Sequence, residues 1–76
     1  MGEGIEYYIS DDGVGWEWEI QIRGRGDVYV KTTYQSVLYN DYDVAWKHFV
    51  DEVYRLKGGA HVISAEFRYV SDAVKE

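Results

Sequence analysis

The chain has 76 residues, no cysteine and a formal net charge of −6. This length allows one domain, and the lack of cysteine excludes disulfide bonds and thiolate metal sites. The negative charge disfavours binding to nucleic acid or to an anionic membrane. We expect residues 1–76 to form a single domain, with its core over about residues 5–70 and a flexible tail at 71–76.

Large aromatic side chains supply the expected core, since the sequence contains 3 Trp, 8 Tyr and 2 Phe. A chain this short buries only about 60% of its unfolded surface, so its core needs large side chains. The first six residues have neither a basic region nor an apolar run, which predicts no signal peptide. No apolar stretch approaches the ~20 residues of a membrane span. We therefore expect a cytoplasmic protein.

The acidic residues are unevenly distributed along the chain. Six of them lie in residues 1–22, where there is no Lys or Arg, whereas the remaining acidic and basic residues are equal in number. All the excess negative charge therefore lies in the first third, and a basic partner is favoured.

Three strands are predicted before the only helix. Residues 5–10 alternate in polarity, and turn-forming residues follow them. Residues 16–23 show the clearest period of two, which is typical of a sheet with one solvated face. A short glycine loop at 24–26 leads into a third strand at 27–34. The side chains expected on the inner face of the second strand are Trp16, Trp18, Ile20 and Ile22.

Residues 41–57 are predicted to form a helix that is capped by Asn40 or Asp41 and ended by Gly58 and Gly59. Its apolar residues recur at spacings of three and four, as expected for a helix with one buried face. A last strand is predicted at 61–70, with Ile63, Ala65, Phe67 and Tyr69 on one face.

The order β-β-β-α-β predicts an α+β fold: a mostly antiparallel four-stranded sheet with one helix across one face. Pairing Ile9 with Trp16, and Ile22 with Val28, keeps the apolar faces together. A right-handed crossover then places the last strand parallel to the first or the third strand.

The outer face of this sheet gives the candidate binding residues, Glu6, Tyr8, Glu17, Glu19 and Tyr29. In the predicted register Glu6 and Glu19 are directly opposed, an arrangement that destabilises a sheet. This face is interpreted either as an ordinary solvated sheet face or as a binding surface for a basic partner. Lys31 and Arg68 on the same face interrupt its negative field.

Tyr8, Tyr29 and Tyr39 are expected to be exposed, and tyrosine is common at interface hot spots, so these three are the best single-residue candidates. Other groups in the sequence point away from a site. Trp16, Trp18 and Trp46 fall on inward faces, which favours core. The histidines, His48 and His61, lack a partner at metal-binding spacing, and no motif for a catalytic serine or for phosphate binding occurs. We expect no enzyme, no metal and no cofactor.

The favoured interpretation is a small acidic binding protein that engages a basic surface of another macromolecule. One form of it is a phage- or mobile-element-encoded inhibitor of a nucleic-acid-binding protein, of the anti-CRISPR or DNA-mimic type, which does not itself bind nucleic acid. The alternative is a structural or assembly module that forms a homodimer, or adds a strand to a partner, through a sheet edge. A small-ligand or accessory domain ranks last.

Overall fold

A computed structural model describes residues 7–24 and 30–71. It contains three strands and one long helix, in the order β1 (Val14–Arg23), β2 (Lys31–Gln35), α1 (Tyr42–Lys57) and β3 (His61–Ser71). The strands form one antiparallel sheet in the order β2-β1-β3. The predicted α+β class is confirmed. No helix in the described part of the chain is long and apolar enough to cross a membrane.

β1 is the central strand, and its alternating sequence explains why. Trp18, Ile20 and Ile22 are buried on one face of the sheet, and Ile20 is fully buried. Glu17 and Glu19 project from the opposite face, as the period of two predicts. The strand predicted over residues 16–23 is therefore confirmed, with two more residues at its start.

The helix α1 begins and ends where the sequence predicts. The side chain of Asp41 accepts a hydrogen bond from the backbone N–H of Val44, at 3.2 Å. At the other end Gly58 donates its N–H to Arg55 O, at 3.3 Å. Such caps satisfy backbone groups that the helix itself leaves without partners.

The core lies between α1 and the inner face of the sheet. Phe49 and Leu56 from the helix join Trp18, Ile20 and Ile22 from β1 in one buried cluster. Burial of side chains of this size contributes about 1.5–3 kcal/mol each. The helix and β1 together therefore supply most of the described core.

The predicted first strand is wrong over its described part. Tyr7 and Tyr8 are helical, and Ile9 forms only an isolated bridge. The bridge joins Ile9 to Tyr39, and Tyr39 itself bridges Trp16, so Tyr39 occupies the place predicted for Ile9. The described sheet therefore has three strands rather than four. Residues 5 and 6 lie outside the described ranges.

Gly15 explains why the segment around Tyr39 can lie so close to β1. A Cβ atom at Gly15 would sit 2.4 Å from the carbonyl oxygen of Tyr39. Trp16 and Tyr39 exchange two backbone hydrogen bonds of 2.7 and 2.8 Å beside it. Tyr39 is buried and stacks on His48, with ring centroids 5.5 Å apart, so the expectation of an exposed Tyr39 is wrong.

The predicted register between the second and third strands is wrong by four residues. Ile22 pairs with Thr32 rather than with Val28, and Lys31 lies opposite Arg23 rather than Glu19. β1 ends at Arg23 and β2 begins at Lys31, and residues 25–29 between them lie outside the described ranges. Because four is an even number, the side chains of β2 stay on their predicted faces.

The last strand runs in the same direction as β2 but lies on the other side of β1. Its hydrogen bonds are therefore antiparallel, and the predicted parallel pairing is wrong. The register shifts between Gln21 and Ile22, so that Val62 pairs with Ile22 and Ile63 is the extra residue of a bulge. Val62 packs against the core, while Ile63 is 39% exposed.

Replacing Gly15 with Ala is expected to lower the free energy of unfolding by about 2 kcal/mol or more, since the new methyl group displaces the Tyr39 backbone. The control is Gly59→Ala, where an added Cβ meets nothing within 4 Å. Urea denaturation measures both. Equal losses in the two variants would show that the close approach at Gly15 contributes nothing.

A second prediction concerns alkaline pH. Burial, and secondarily the charge of Glu52, raises the pKa of Tyr39 above its usual value. Because its pKa is higher in the folded state than in the unfolded state, the neutral Tyr39 side chain contributes to the stability of the fold. This contribution is fully present below about pH 10 and is lost as pH rises through the folded-state pKa. Tyr39→Phe should therefore lose less stability than the wild type between about pH 9 and pH 11.

Urea denaturation across this pH range provides the measurement, and Tyr54→Phe controls for removal of one hydroxyl from an exposed ring. If Tyr39→Phe and the wild type lose equal stability, ionisation of Tyr39 does not cause the loss of stability at alkaline pH.

Candidate functional site

The outer side of the sheet carries a group of four charged residues, Glu17, Glu19, Glu66 and Arg68, which we call the carboxylate face. The pairing of β1 with β3 brings them together, since Glu17 lies opposite Arg68 and Glu19 opposite Glu66. Two carboxylates directly opposed in an antiparallel pair repel each other. This face therefore requires a nearby positive charge.

Arg68 supplies that charge and binds all three carboxylates. Its Nε donates to Glu17 Oε2 at 2.8 Å, and its two terminal nitrogens donate to Glu19 Oε1 at 2.8 Å and Glu66 Oε1 at 2.7 Å. Hydrogen bonds to Glu19, and then to Glu17, raise the pKa of the Arg68 guanidinium above its usual value. The planar guanidinium can make several such bonds at once, which an ammonium group cannot do in the same geometry.

The carboxylate face is consequently less available than the sequence suggests. Glu17 and Glu19 have side chains only 16% and 27% exposed, and both are already paired with Arg68. Glu66, at 65%, is the most exposed of the three carboxylates. Three carboxylates and one guanidinium still leave this face with a formal charge of about −2.

Of the three predicted binding residues that the structure describes, Glu17 and Glu19 come together here. Tyr8 is half-buried in a helical turn, and its carbonyl accepts a hydrogen bond from Asn40 N at 2.7 Å. Glu6 and Tyr29 lie outside the described residues. The predicted opposition of Glu6 and Glu19 is replaced, within the described sheet, by that of Glu66 and Glu19.

A second candidate surface, which sequence reasoning missed, lies on the helix side of β3. It consists of Trp16, Tyr42, Trp46, Phe67 and Tyr69, and we call it the aromatic ridge. Trp16 stacks on Phe67 at 5.6 Å and meets Tyr42 and Tyr69 edge-on at 4.9 and 4.8 Å. Trp46 meets Phe67 edge-on at 5.1 Å. Edge-to-face and stacked contacts of this kind stabilise aromatic clusters beyond simple burial.

The aromatic ridge is a surface feature and not only part of the core. Tyr42, Trp46 and Tyr69 are 47%, 43% and 53% exposed. The interpretation of Trp46 as a core residue is therefore wrong, although its ring contacts Phe49 of the core at 5.4 Å. The signal in the sequence was the i,i+4 spacing of Tyr42 and Trp46 beside the alternating Phe67 and Tyr69, which gives more aromatic rings than one small core can enclose.

A groove continues the aromatic ridge along the second half of α1. It has a volume of about 330 Å³ and lies between the helix and β3. Tyr54 on its rim is 72% exposed. The lining residues are Phe49, Val50, Val53, Tyr54, Lys57 and Ala65. The ridge and the groove thus form one apolar strip beside β3.

The side of β3 that faces away from β1 carries backbone hydrogen-bonding groups next to this strip. Trp16 exchanges hydrogen bonds with Tyr39, and Trp18 bonds Ser36 through both its N–H and its C=O, so both residues use their backbone groups on the side of β1 away from β3. Residues in an antiparallel ladder alternate in this respect. Their partners on β3, Tyr69 and Phe67, therefore direct N–H and C=O groups away from β1. By the same alternation Ala65, which lies opposite Ile20, does so as well.

No strand among the described residues pairs with this side of β3. The β3 edge is 11 residues long, whereas β2 at the other edge has five. Long exposed edges are templates for pairing with another chain, and proteins commonly shorten or cover them.

The described residues contain no group of three or more His, Asp or Glu side chains placed to hold a metal ion. His48 is stacked on Tyr39, and His61 begins β3 opposite Arg23.

No protein family matches this chain, no curated protein matches its sequence, and no solved structure matches its fold.

Replacing Arg68 with Met should lower the free energy of unfolding by about 1–3 kcal/mol, because it leaves the partly buried Glu17 and Glu19 without their counter-charge. The control is Lys47→Met, which breaks the exposed pair between Lys47 and Asp51 and should cost about 0.5 kcal/mol or less. Urea denaturation gives both values. Similar values would mean that the Arg68 contacts are no stronger than an exposed ion pair.

Proposed function

We propose that this protein is a non-catalytic interaction domain that binds another polypeptide along the free edge of β3. The observation that carries the proposal is the coincidence of two features: outward-directed backbone groups at Ala65, Phe67 and Tyr69, and an exposed apolar strip beside them. Backbone pairing at a sheet edge gives affinity, and adjacent side-chain pockets give specificity.

The composition of the strip supports this function. Tryptophan and tyrosine are enriched at the centres of protein interfaces, and three exposed members of the aromatic ridge are of these two types. The groove beside Tyr54 is open and apolar, as required to accept side chains from an added strand. In contrast, Glu17 and Glu19 are occupied by Arg68.

The second candidate function is the one that the net charge predicts: the protein binds a basic partner, such as a nucleic-acid-binding protein, and inhibits it. The residual negative charge of the carboxylate face and the exposure of Glu66 favour it. Such binding would weaken as salt is added, because exposed charges are screened.

Affinity capture from a lysate of the source cells tests the first candidate function with a matched pair of proline variants. Ala65→Pro removes an outward N–H from β3, and Thr33→Pro removes an outward N–H from β2, where Thr33 pairs with Gln21. Both positions are exposed. We expect the polypeptide retained by the wild type to be retained by Thr33→Pro and lost from Ala65→Pro.

Glu66→Gln in the same experiment separates the two candidates. Partners that depend on salt and on Glu66 but not on Ala65 would replace the edge proposal with the acidic one. Circular dichroism of each variant checks that it is folded.

A further inference from the structure

We propose that the chain bound at the β3 edge is a second copy of this protein, paired antiparallel about a two-fold axis at Phe67. This inference rests on the proposed function and names its partner. A two-fold dimer pairs β3 with its own reversed sequence. The backbone groups, charges and side-chain sizes along β3 therefore each have to be complementary to the same pattern read backwards.

The backbone limits the registers that a second copy can adopt. Ala65, Phe67 and Tyr69 direct their N–H and C=O groups outward, so hydrogen bonds form only when these residues face one another. An axis at Phe67 pairs Phe67 with its own copy, and Ala65 with Tyr69 of the second copy in both directions. Each such pair exchanges two bonds, which gives about six across the interface.

Charge then selects among these registers. With the axis at Phe67, Glu66 lies opposite Arg68 of the second copy, and Arg68 lies opposite Glu66 of the second copy. An axis at Glu66 would oppose two glutamates, and an axis at Arg68 would oppose two arginines. Opposite charges directly across an antiparallel pair stabilise it and like charges destabilise it. Axes nearer the ends of β3 reach the bulge at Ile63 or leave half of the edge without a partner.

Both charged residues have capacity for this additional contact. Three N–H groups of Arg68 are used within the chain, and a guanidinium has five. Glu66 is 65% exposed and contacts Arg68 through one oxygen, Oε1. Residues 66 and 68 form non-hydrogen-bonded pairs in this register, where opposed side chains are closest.

Side-chain size on the helix side also fits the register. Ala65, the smallest residue on this part of β3, lies opposite Tyr69 of the second copy, whose ring needs the space. The exposed rings of Tyr69 and Tyr54, at 53% and 72%, would become covered. Ala65 lines the groove, so the incoming tyrosine has a cavity of about 330 Å³ beside it.

The two helices would also meet at a normal packing distance. α1 lies across β1 and β3, because Phe49 contacts both Trp18 and Phe67. With strands about 4.8 Å apart, two helices placed symmetrically over a β3–β3 junction have axes roughly 10 Å apart. Packed helices are usually separated by about 8–10 Å. The dimer is therefore a six-stranded sheet with two helices side by side on one face.

Sedimentation equilibrium of the purified full chain tests the dimer. We expect the wild type and Thr33→Pro to be dimeric at about 100 µM. Ala65→Pro removes two of the interface bonds by symmetry, so its dissociation constant should rise by about 30-fold or more. A monomeric wild type, or an unchanged dissociation constant in Ala65→Pro, would overturn the inference.

Cysteine cross-linking tests the register. The chain has no cysteine of its own, and an axis at Phe67 places Ser64 opposite Val70 of the second copy. The double variant Ser64→Cys/Val70→Cys should form a covalent dimer on mild oxidation, since opposed residues of this type have Cα atoms about 4.5 Å apart. Within one chain the two positions are roughly 20 Å apart along β3, so they cannot join each other.

The single variants Ser64→Cys and Val70→Cys serve as controls, because each cysteine then faces a residue other than cysteine. Covalent dimer in the double variant alone supports the axis at Phe67. Equal cross-linking in a single variant would place the axis elsewhere and overturn the inference.

Failure of this inference can be told apart from failure of the proposed function. If the wild type is monomeric while lysate capture still recovers a different polypeptide that Ala65→Pro loses, the edge binds another chain and only the dimer is wrong. If neither experiment depends on Ala65, both proposals are wrong.

Discussion

The whole described sheet depends on β1, because its hydrogen bonds join the chain on both sides. β2 and residues 36–39 bind one side of it, and β3 binds the other. Its inner face supplies Trp18, Ile20 and Ile22 to the core, so β1 links backbone pairing to hydrophobic burial. With β1 in the centre, β2 and β3 are the edge strands of the described sheet. The segment of residues 8–10 lies against residues 38–40 near one edge, whereas no described residue pairs with the free side of β3.

Arg68 determines the character of the opposite face in a similar way. The alternation that buries Trp18 also places Glu17 and Glu19 on one surface, and β3 adds Glu66 beside them. A single guanidinium bound to all three converts a repulsive cluster into a network that also fixes the position of β3 relative to β1. Part of the negative charge in the first third of the sequence is therefore used to hold the sheet together.

Local patterns were sufficient for the elements that β1 and α1 form. The period of two over residues 16–23, and the caps at Asp41 and Gly58, are short-range signals that tertiary contacts did not override. Residues 5–10 carry the same alternation, but Gly15 admits the Tyr39 backbone to the position that a hairpin would have filled. The register of β2 and the position of β3 in the sheet depend on loop length and on non-local pairing. A sequence period of two cannot reveal them, because a shift by an even number of residues leaves every side chain on the same face. The carboxylate pair could be found from the sequence for the same reason, whereas the aromatic ridge depends on which side of β1 the last strand occupies.

The position of β3 beside β1 places its outward backbone groups next to the aromatic ridge. Had the last strand paired beside β2, the outward groups of Ala65, Phe67 and Tyr69 would lie far from Tyr42 and Trp46, and the helix would cover a different strand. Placed beside β1, it runs under α1, where Phe67 contacts the exposed rings of Tyr42 and Trp46. Several large apolar side chains of the described residues stay exposed, and Tyr42, Trp46, Tyr54 and Tyr69 among them lie beside β3. An edge with free backbone groups and an adjoining apolar strip is most fully satisfied when another chain supplies both a strand and an apolar surface.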